Sequence, residues 1–235
     1  MLLRKGRIMK QPKDLKILLT GATSGLGRRV AEHLAEKGAT LLLHGRDPDK
    51  GKQMVAALRR ETGNEALTYY NADLASLAEV RRLAEKISEK HRQLDILINN
   101  AGLGAGPEPS RRETSADGYE RRFAVNYLAP FLLTRRLLPL LKRAAGTGRE
   151  ARIINVASAA QQAIDFDDVM LERQYDGMRA YAQSKLALIM FTFDLAEELE
   201  DSGVTANALH PASLMDTRMV REWFGQPRAS VEEGA

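Results

Sequence analysis

Tyr181 and Lys185 are the two residues whose types and spacing first suggest chemistry in this chain. On a helix, side chains four residues apart lie on the same face, one turn from each other. An ammonium group beside a phenol favours the phenolate, and so lowers the pKa of the phenol toward the range of an acid/base catalyst. Because many helices carry this spacing by accident, a surface pair without a role is the alternative.

A glycine-rich segment, residues 20–27, follows the first apolar run of the chain. Glycines at such a turn let the backbone approach a diphosphate, and the N-terminus of the next helix offers free N–H groups and positive potential. The spacing is G-x-x-x-G-x-G, which differs from the G-x-G-x-x-G of the standard dinucleotide fingerprint. Its position after the first predicted strand favours a nucleotide site over a purely structural turn.

The end of the second predicted strand discriminates between the two nicotinamide cofactors. NAD sites use an acidic residue about 20 residues after the glycine turn to bind the ribose 2′-hydroxyl. This chain has Arg46 there, which can bind a 2′-phosphate. Asp47 is the competing candidate, but Pro48 after it favours a helix cap. With Ser24 as a second phosphate contact, the sequence favours NADP(H), whereas NAD(H), or a surface role for Arg46, is the alternative.

Two further segments lie at the ends of the third and fourth predicted strands. Asp73 and Leu74 occupy a place where an adenine amino group can be bound, although a loop role explains them nearly as well. Residues 99–102 are small or carry a side-chain amide, so that a flat cofactor can lie against the sheet edge. Taken alone, that segment is only a turn.

Apolar runs alternate with amphipathic helical stretches along the whole chain. This alternation implies right-handed crossovers and a parallel sheet covered by helices on both faces, which is an α/β, Rossmann-type doubly wound fold in one domain. Ligands bind outside the carboxyl ends of the strands in such sheets. The predicted strands are residues 16–20, 40–44, 66–70, 94–98, 152–157 and 204–209. The predicted helices are residues 28–37, 48–61, 77–90 and 117–143, and one that contains Tyr181 and ends near 201.

The composition is that of an ordinary globular domain, with 235 residues that are 44% hydrophobic and 28% charged. No apolar run approaches the ~18 residues of a membrane span, and the basic start of the chain lacks the core of a secretion signal. We therefore expect a disordered leader over residues 1–13, a single domain over 14–235, and a cytoplasmic location. There are no cysteines, and the net charge of +4 is too evenly spread to favour nucleic acid. No metal site is expected, because the four histidines are scattered: His33, His44, His91 and His210.

Together these motifs resemble the short-chain dehydrogenase/reductase family. The long gap between Ser158 and Tyr181, and the Gly-Arg-Asp setting of Arg46, look like the retinol-dehydrogenase-like branch of that family. The resemblance covers roughly residues 14–220. It rests on residues 20–27, Asp73, residues 99–102, Asn126, Ser158, Tyr181, Lys185 and Pro211, which stand in the order of the family.

The resemblance implies a role for each member of a catalytic set. Tyr181 would be the acid/base that protonates a carbonyl oxygen, and Lys185 would lower its pKa and bind the nicotinamide ribose. Ser158 would orient and polarise the substrate oxygen, and Asn126 would hold a water that relays protons to Lys185. The cofactor supplies the hydride. The residues expected to bind the cofactor are Gly21, Thr23, Ser24, Gly25, Leu26, Gly27, Arg46, Asp73, Leu74, Asn100, Ala101, Gly102, Tyr181, Lys185, Pro211 and Thr217.

The C-terminal part departs from the family pattern in two places. Pro211 is followed by Ala212 where the family has glycine, and the chain stops at Ala235 where members continue with another helix and a seventh strand. We expect that helix and that strand to be missing, and the sixth strand to form an exposed edge. Trp223 and Phe224 are expected to form a hydrophobic patch that closes over the substrate or a partner.

The sequence therefore predicts an NADP(H)-dependent oxidoreductase that interconverts an alcohol and a small-molecule carbonyl compound. A homodimer or homotetramer is expected by analogy with the family. Three alternatives stand beside this prediction: an NAD(H)-dependent member, a non-catalytic nucleotide-binding sensor, and a structural partner subunit. The identity of the substrate has no readable pattern in the sequence.

Overall fold

A six-stranded parallel sheet forms the centre of the computed structural model, which describes residues 11–146 and 150–235. Most of the predicted leader, residues 1–10, lies outside the described part. The strand order is β3-β2-β1-β4-β5-β6, which confirms the predicted doubly wound, Rossmann-type architecture. The strands are β1 Lys16–Leu19, β2 Thr40–Gly45, β3 Leu67–Asn71, β4 Ile96–Asn99, β5 Ala151–Val156 and β6 Val204–Leu209.

Helices cover both faces of this sheet. The first three are α1 Gly25–Glu36, α2 Pro48–Thr62 and α3 Leu77–Lys90. The helix predicted over 117–143 consists of α4 Arg121–Phe123, a π-helical turn Ala124–Leu128 and α5 Ala129–Ala145. The last three are α6 Gly177–Glu198, α7 Arg218–Phe224 and α8 Val231–Gly234. Among the described residues, none of the helices combines the length and the apolar composition that a membrane span needs.

Alternation along the apolar strands divides the core into two layers. Leu18 points to the face that α3, α5 and α6 cover, whereas its neighbours Ile17 and Leu19 point to the face that α1 and α2 cover. All three side chains are fully buried. Such runs, apolar on both faces, are the mark of a central parallel strand, and this is why they could be recognised in the sequence.

Two helices have distinctive local features. Ser76 caps α3 by accepting from the Glu79 N–H at 3.4 Å, and the Glu79 side chain accepts from the Asp73 N–H at 2.7 Å. Pro139 lies inside α5 without ending it. The fold brings the carboxyl ends of β1, β4 and β5 to the same edge of the sheet, where the predicted site residues follow.

Candidate active site

Tyr181 and Lys185 lie on the same face of α6, as the spacing predicted. The Lys185 ammonium nitrogen is 5.8 Å from the centroid of the Tyr181 ring and donates a 2.8 Å hydrogen bond to the Val156 carbonyl. Val156 is the last residue of β5, so this bond joins α6 to the carboxyl end of that strand. Lys185 is only 4% exposed. The pair therefore sits at the sheet edge where ligands bind in this fold class.

Ser158 follows β5 by two residues, and its side chain lies beside the Tyr181 hydroxyl, whose pKa it lowers. The Ser158 Oγ also accepts from the Ala160 N–H at 3.1 Å, which fixes its position in the loop. The two hydroxyl groups thus stand side by side. A single substrate oxygen placed next to them can accept a hydrogen bond from each.

The pKa of Tyr181 differs from the expectation. Burial of the phenol raises its pKa above the usual value of 10.0, and the neighbouring Ser158 side chain only partly offsets this. The Lys185 ammonium group is itself buried and bonded to the Val156 carbonyl, and burial lowers the pKa of Lys185 to about 8. Tyr181 is therefore protonated at neutral pH, which is the state that can give a proton to a carbonyl oxygen.

Asn126 lies in the π-helical turn and is completely buried. It accepts from the Leu103 N–H at 2.8 Å, donates to the Leu103 carbonyl at 2.9 Å, and donates to Ser184 Oγ at 3.0 Å. A Cβ built on Gly102 would lie 3.4 Å from Asn126 Oδ1 and 3.5 Å from Lys185 Nζ. Asn126 and Lys185 therefore face the same glycine. Single π-helical turns of this kind are frequent at functional sites.

The glycine-rich segment requires its glycines for reasons that the structure makes plain. Gly21 and Gly25 have φ angles of 67° and 53°, and a Cβ on Gly27 would lie 2.2 Å from the Gly21 carbonyl oxygen. Ser24 is the N-cap of α1, but its side chain makes no capping hydrogen bond. The first-turn amides of α1 are thus not capped by this side chain, as an anion site at a helix N-terminus requires. Two other predicted cofactor residues lie in this segment. Thr23 is half-buried, and Leu26 is buried.

Thr20 and Asn100 brace this segment against the end of β4. The Thr20 hydroxyl accepts from the backbone N–H groups of Asn100 and Ala101, both at 3.0 Å. The Asn100 side chain donates to the carbonyls of Thr20 at 2.8 Å and Gly21 at 3.3 Å. A Cβ on Gly21 would lie 2.8 Å from Ala101 Cα. The predicted residues Asn100 and Ala101 thus position the turn.

Arg46 and Asp47 have different environments at the end of β2. The Asp47 carboxylate caps α2, accepting from the N–H groups of Asp49 at 3.0 Å and Lys50 at 3.1 Å, as Pro48 had suggested. Arg46 is exposed, and within the described part of the chain no hydrogen bond or ion pair engages its side chain. The cation is available to an anionic ligand, whereas the carboxylate already has partners.

The remaining predicted cofactor residues are spread around the same edge. Asp73 accepts from the Ala75 N–H at 2.9 Å, and Leu74 is only 4% exposed, so the Leu74 side chain belongs to the core. Thr217 is the N-cap of α7, and its Cγ2 lies 3.5 Å from a Cβ built on Gly25, which places it against the glycine-rich segment. Pro211 is half-buried two residues after β6.

The C-terminal segment covers part of this edge. The Trp223 ring of α7 packs edge-to-face on Tyr181, with centroids 5.3 Å apart and an interplanar angle of 85°. Trp223 also packs against Gly104, where a Cβ would lie 2.3 Å from the indole. Farther on, Glu232 of α8 pairs with Arg29 and, at 2.9 Å, with His33 of α1. The predicted patch therefore closes over Tyr181 through Trp223, whereas the Phe224 side chain is outside the described part.

His44 has a role that sequence reasoning missed. It is 1% exposed, and its Nε2 lies 3.1 Å from the Ala72 carbonyl while the Gly21 N–H donates to its Nδ1 at 3.4 Å. A carbonyl only accepts and an amide N–H only donates, so the pair of contacts requires the neutral tautomer with the proton on Nε2. Burial lowers the pKa of His44 to about 4. The only signal in the sequence was a histidine inside an otherwise apolar strand.

Acid should therefore destabilise this protein through His44. Its pKa is lower in the folded chain than the value of 6.5 for a free side chain, so the stabilisation is complete above 6.5 and is lost as the pH falls toward 4. We expect the free energy of unfolding to fall by about 3 kcal/mol across that window. Urea unfolding at several pH values should show this slope, and His44→Gln, whose amide can both donate and accept, should lack it. The exposed His210→Gln serves as the control and should keep the slope.

Several buried polar side chains form hydrogen bonds between the strands and helices that carry the site. Asn99 donates to Thr134 Oγ1 at 3.0 Å and to Asn155 Oδ1 at 2.8 Å, and Asn155 donates to Thr192 Oγ1 at 2.9 Å. This chain of amides and hydroxyls ties β4 and β5 to α5 and α6. Polar residues within apolar strands were the available signal, but their partners are distant in sequence.

Comparison with known proteins identifies the relatives of this chain. The family model described as short chain dehydrogenase matches residues 16–228. The chain belongs to the short chain dehydrogenase family. Human retinol dehydrogenase 13 is 44% identical over 198 residues, which cover 83% of this chain and 57% of that relative. Human polyprenol dehydrogenase is 39% identical over 219 residues, which cover 92% and 65% respectively. These relatives confirm the predicted retinol-dehydrogenase-like branch.

This short chain dehydrogenase spans 57% and 65% of the length of those two curated relatives. Its fold also matches solved structures. An NADPH-bound carbonyl reductase from chicken fatty liver is 27% identical with a TM-score of 0.71, covering 93% of this chain and 83% of that one. A short-chain dehydrogenase from Sphingobium yanoikuyae in complex with NADPH is 28% identical with a TM-score of 0.73, covering 94% and 81%.

Proposed function

We propose that this protein is an NADP(H)-dependent oxidoreductase that interconverts an alcohol and a carbonyl compound. The observation that carries the proposal is the proximity of the Tyr181 and Ser158 side chains, beside the buried Lys185 and at the same sheet edge as the glycine-rich segment. Two hydroxyl groups and an ammonium at that edge are the groups that proton transfer to an oxygen requires. Consumption of NADPH by the purified protein in the presence of an aldehyde is the direct test.

The residues present fit a dinucleotide. The glycine-rich segment and the N-terminus of α1 would hold the diphosphate, Arg46 the 2′-phosphate, and Asp73 the adenine. Because Gly102 has no side chain, the space within 3.5 Å of Lys185 Nζ is open, and Lys185 would bind a ribose hydroxyl there. The NADP(H) complexes of the chicken and Sphingobium proteins support this choice of cofactor. When bound, NADPH supplies the hydride that reduces a carbonyl carbon, and NADP accepts it in the reverse direction.

Four side chains of the protein have roles in the rest of the reaction. Ser158 donates a hydrogen bond to the carbonyl oxygen and so stabilises the negative charge that develops there. Tyr181, protonated because burial raises its pKa, transfers its phenolic proton to that oxygen and becomes a phenolate. Lys185 stabilises the phenolate by its charge, and Asn126 holds the Leu103 backbone against Gly102 so that this geometry persists. In alcohol oxidation the same groups act in reverse.

The substrate class we propose is an apolar alcohol or aldehyde with an isoprenoid chain. Trp223 beside Tyr181, and Met219 against Gly104, supply an aromatic and a thioether surface next to the catalytic hydroxyl. Relatives named for retinol and polyprenol support the same class. All-trans-retinal should therefore be reduced with a much lower KM than a small polar aldehyde such as glyceraldehyde. Equal KM values for the two would contradict this substrate class while leaving the reaction type intact.

A cytoplasmic location and a homodimer or homotetramer stay predictions.

Replacing Arg46 should change the cofactor preference. Arg46→Ala removes a cation that pairs with no described residue, so we expect little effect on folding but a loss of about 1.5–3 kcal/mol in NADPH binding, or roughly 10- to 150-fold. NADH, which lacks the 2′-phosphate, should bind the variant as it binds the wild type. Fluorescence titration with each cofactor measures both constants. Lys52→Ala, an exposed cation on α2, is the matched control, and equal weakening of both cofactors by Arg46→Ala would contradict the phosphate role.

A further inference from the structure

An ion pair is buried beside the substrate edge, and the proposed mechanism makes no use of it. The side chains of Arg122 and Glu120 are 4% and 0% exposed, and a nitrogen of the guanidinium lies 3.3 Å from a carboxylate oxygen. The second carboxylate oxygen accepts from the Phe123 N–H at 2.7 Å, at the start of α4. Burying such a pair costs more than surface pairing, so it brings little stability by itself.

Tyr175 completes the cluster from the loop that precedes α6. Its hydroxyl donates to the same Glu120 oxygen at 3.0 Å and accepts from Arg122 Nη1 at 2.5 Å. The guanidinium also lies over the Tyr175 ring, 5.7 Å from the centroid. We call these three residues, Glu120, Arg122 and Tyr175, the clamp. It connects the first residues of α4 to the segment that carries α6 and therefore Tyr181.

The other donors of Arg122 hold the backbone of the loop after β4. Nε donates to the Gly104 carbonyl at 2.9 Å, and Nη2 donates to the Ala105 carbonyl. On its other side Gly104 packs against Trp223, which in turn packs on Tyr181. The segment 103–105 is thus fixed between the buried guanidinium and the aromatic wall of the proposed substrate site.

We propose that the clamp positions segment 103–105, and through it Trp223, so that the wall beside Tyr181 is preformed for the substrate. The planar fork of Arg122 suits this task, because one rigid group binds two successive carbonyls, a carboxylate and a phenol at once. The three residues are positioning residues that do not touch the substrate. The effect on substrate binding rests on the proposed function, whereas the effect on Trp223 does not.

The experiment uses Trp223 as its own reporter, because it is the only tryptophan in the chain. Tyr175→Phe removes one hydroxyl and keeps the ring over Arg122, and Arg122→Lys keeps the charge but loses the fork. The matched control is Tyr119→Phe. The Tyr119 residue directly precedes the clamp in sequence and is 38% exposed. Acrylamide quenching of Trp223 fluorescence, KM and kcat for retinal, and the NADPH dissociation constant are measured for each full-length protein.

We expect Trp223 to be quenched more strongly in Tyr175→Phe than in the wild type. The variant loses both hydrogen bonds of the Tyr175 hydroxyl, and we expect part of that loss to reach the substrate wall. The KM should therefore rise about fivefold, with kcat and NADPH affinity within about twofold of wild type. Arg122→Lys should show larger changes in the same direction, and Tyr119→Phe none. Wild-type quenching and KM in Tyr175→Phe would overturn the proposal even if Arg122→Lys fails to fold. Stronger quenching without a change in KM would overturn the role in substrate binding. A wild-type protein that reduces no carbonyl would sink the proposed function instead, and the quenching would still decide whether the clamp holds Trp223.

Discussion

Replacing Tyr181 with phenylalanine should lower kcat by about a thousandfold, the range of a general acid positioned on the reacting oxygen. The change removes one oxygen and leaves the ring, so the edge-to-face packing with Trp223 at 5.3 Å is retained. The Ser158 hydroxyl loses Tyr181 as a neighbour but still accepts from the Ala160 N–H at 3.1 Å. NADPH consumption with retinal under saturating conditions measures the effect.

Binding has to be separated from chemistry in this comparison. The glycine-rich segment and Arg46 are unchanged in Tyr181→Phe, so the NADPH dissociation constant should rise by no more than about tenfold, since the one phenol accounts for at most a single hydrogen bond to the cofactor. Tyr119→Phe makes the same chemical change at a partly exposed ring and should retain full activity. If Tyr181→Phe kept a tenth or more of the wild-type kcat, Tyr181 would not be the proton donor.

The parts of this site that could be predicted from sequence are those that depend on local pattern. The four-residue spacing of Tyr181 and Lys185 fixes a shared helix face wherever the helix packs. The glycines of residues 20–27 are dictated by the backbone itself, as the positive φ angles of Gly21 and Gly25 show. Asp47 before Pro48 is a local cap signal, and the structure bears it out. Ser158 and Asn126, by contrast, could be chosen only through family resemblance.

What could not be predicted depends on partners far apart in the chain. His44 binds Gly21 and Ala72, and Arg122 binds residues 104, 105 and 175, and no spacing rule links such positions. The direction of the Tyr181 pKa shift could not be predicted either, because it also depends on contacts made by the packed fold. Proximity to Lys185 suggested a lowered value, but burial of both groups decides the outcome, and burial is a property of the packed fold.

Removing the Lys185 charge should make the protein more stable and far less active. Burial lowers the pKa of Lys185 from 10.5 to about 8, so the unfolded chain holds this proton more tightly between those values. Below pH 8 the folded state therefore bears a cost of about 3 kcal/mol for keeping the ammonium buried. Lys185→Met removes that cost and loses the hydrogen bond to the Val156 carbonyl, worth about 1 kcal/mol. We expect a net gain of about 2 kcal/mol in the free energy of unfolding near neutral pH.

The pH dependence distinguishes this explanation from a general packing effect. As the pH rises from 8 to 10.5, the wild type no longer bears the cost of burying a charge, so its disadvantage relative to Lys185→Met should shrink and then reverse. Urea unfolding of both proteins across that window measures the difference, with Lys86→Met on the exposed face of α3 as the control that should show none. A pH-independent difference would refute the buried ammonium as its cause.

The same variant, Lys185→Met, should lose about a hundredfold in kcat, because the phenolate of Tyr181 no longer has a cation beside it. If Lys185→Met raises the free energy of unfolding and lowers kcat, the buried ammonium destabilises the fold and is required for the reaction.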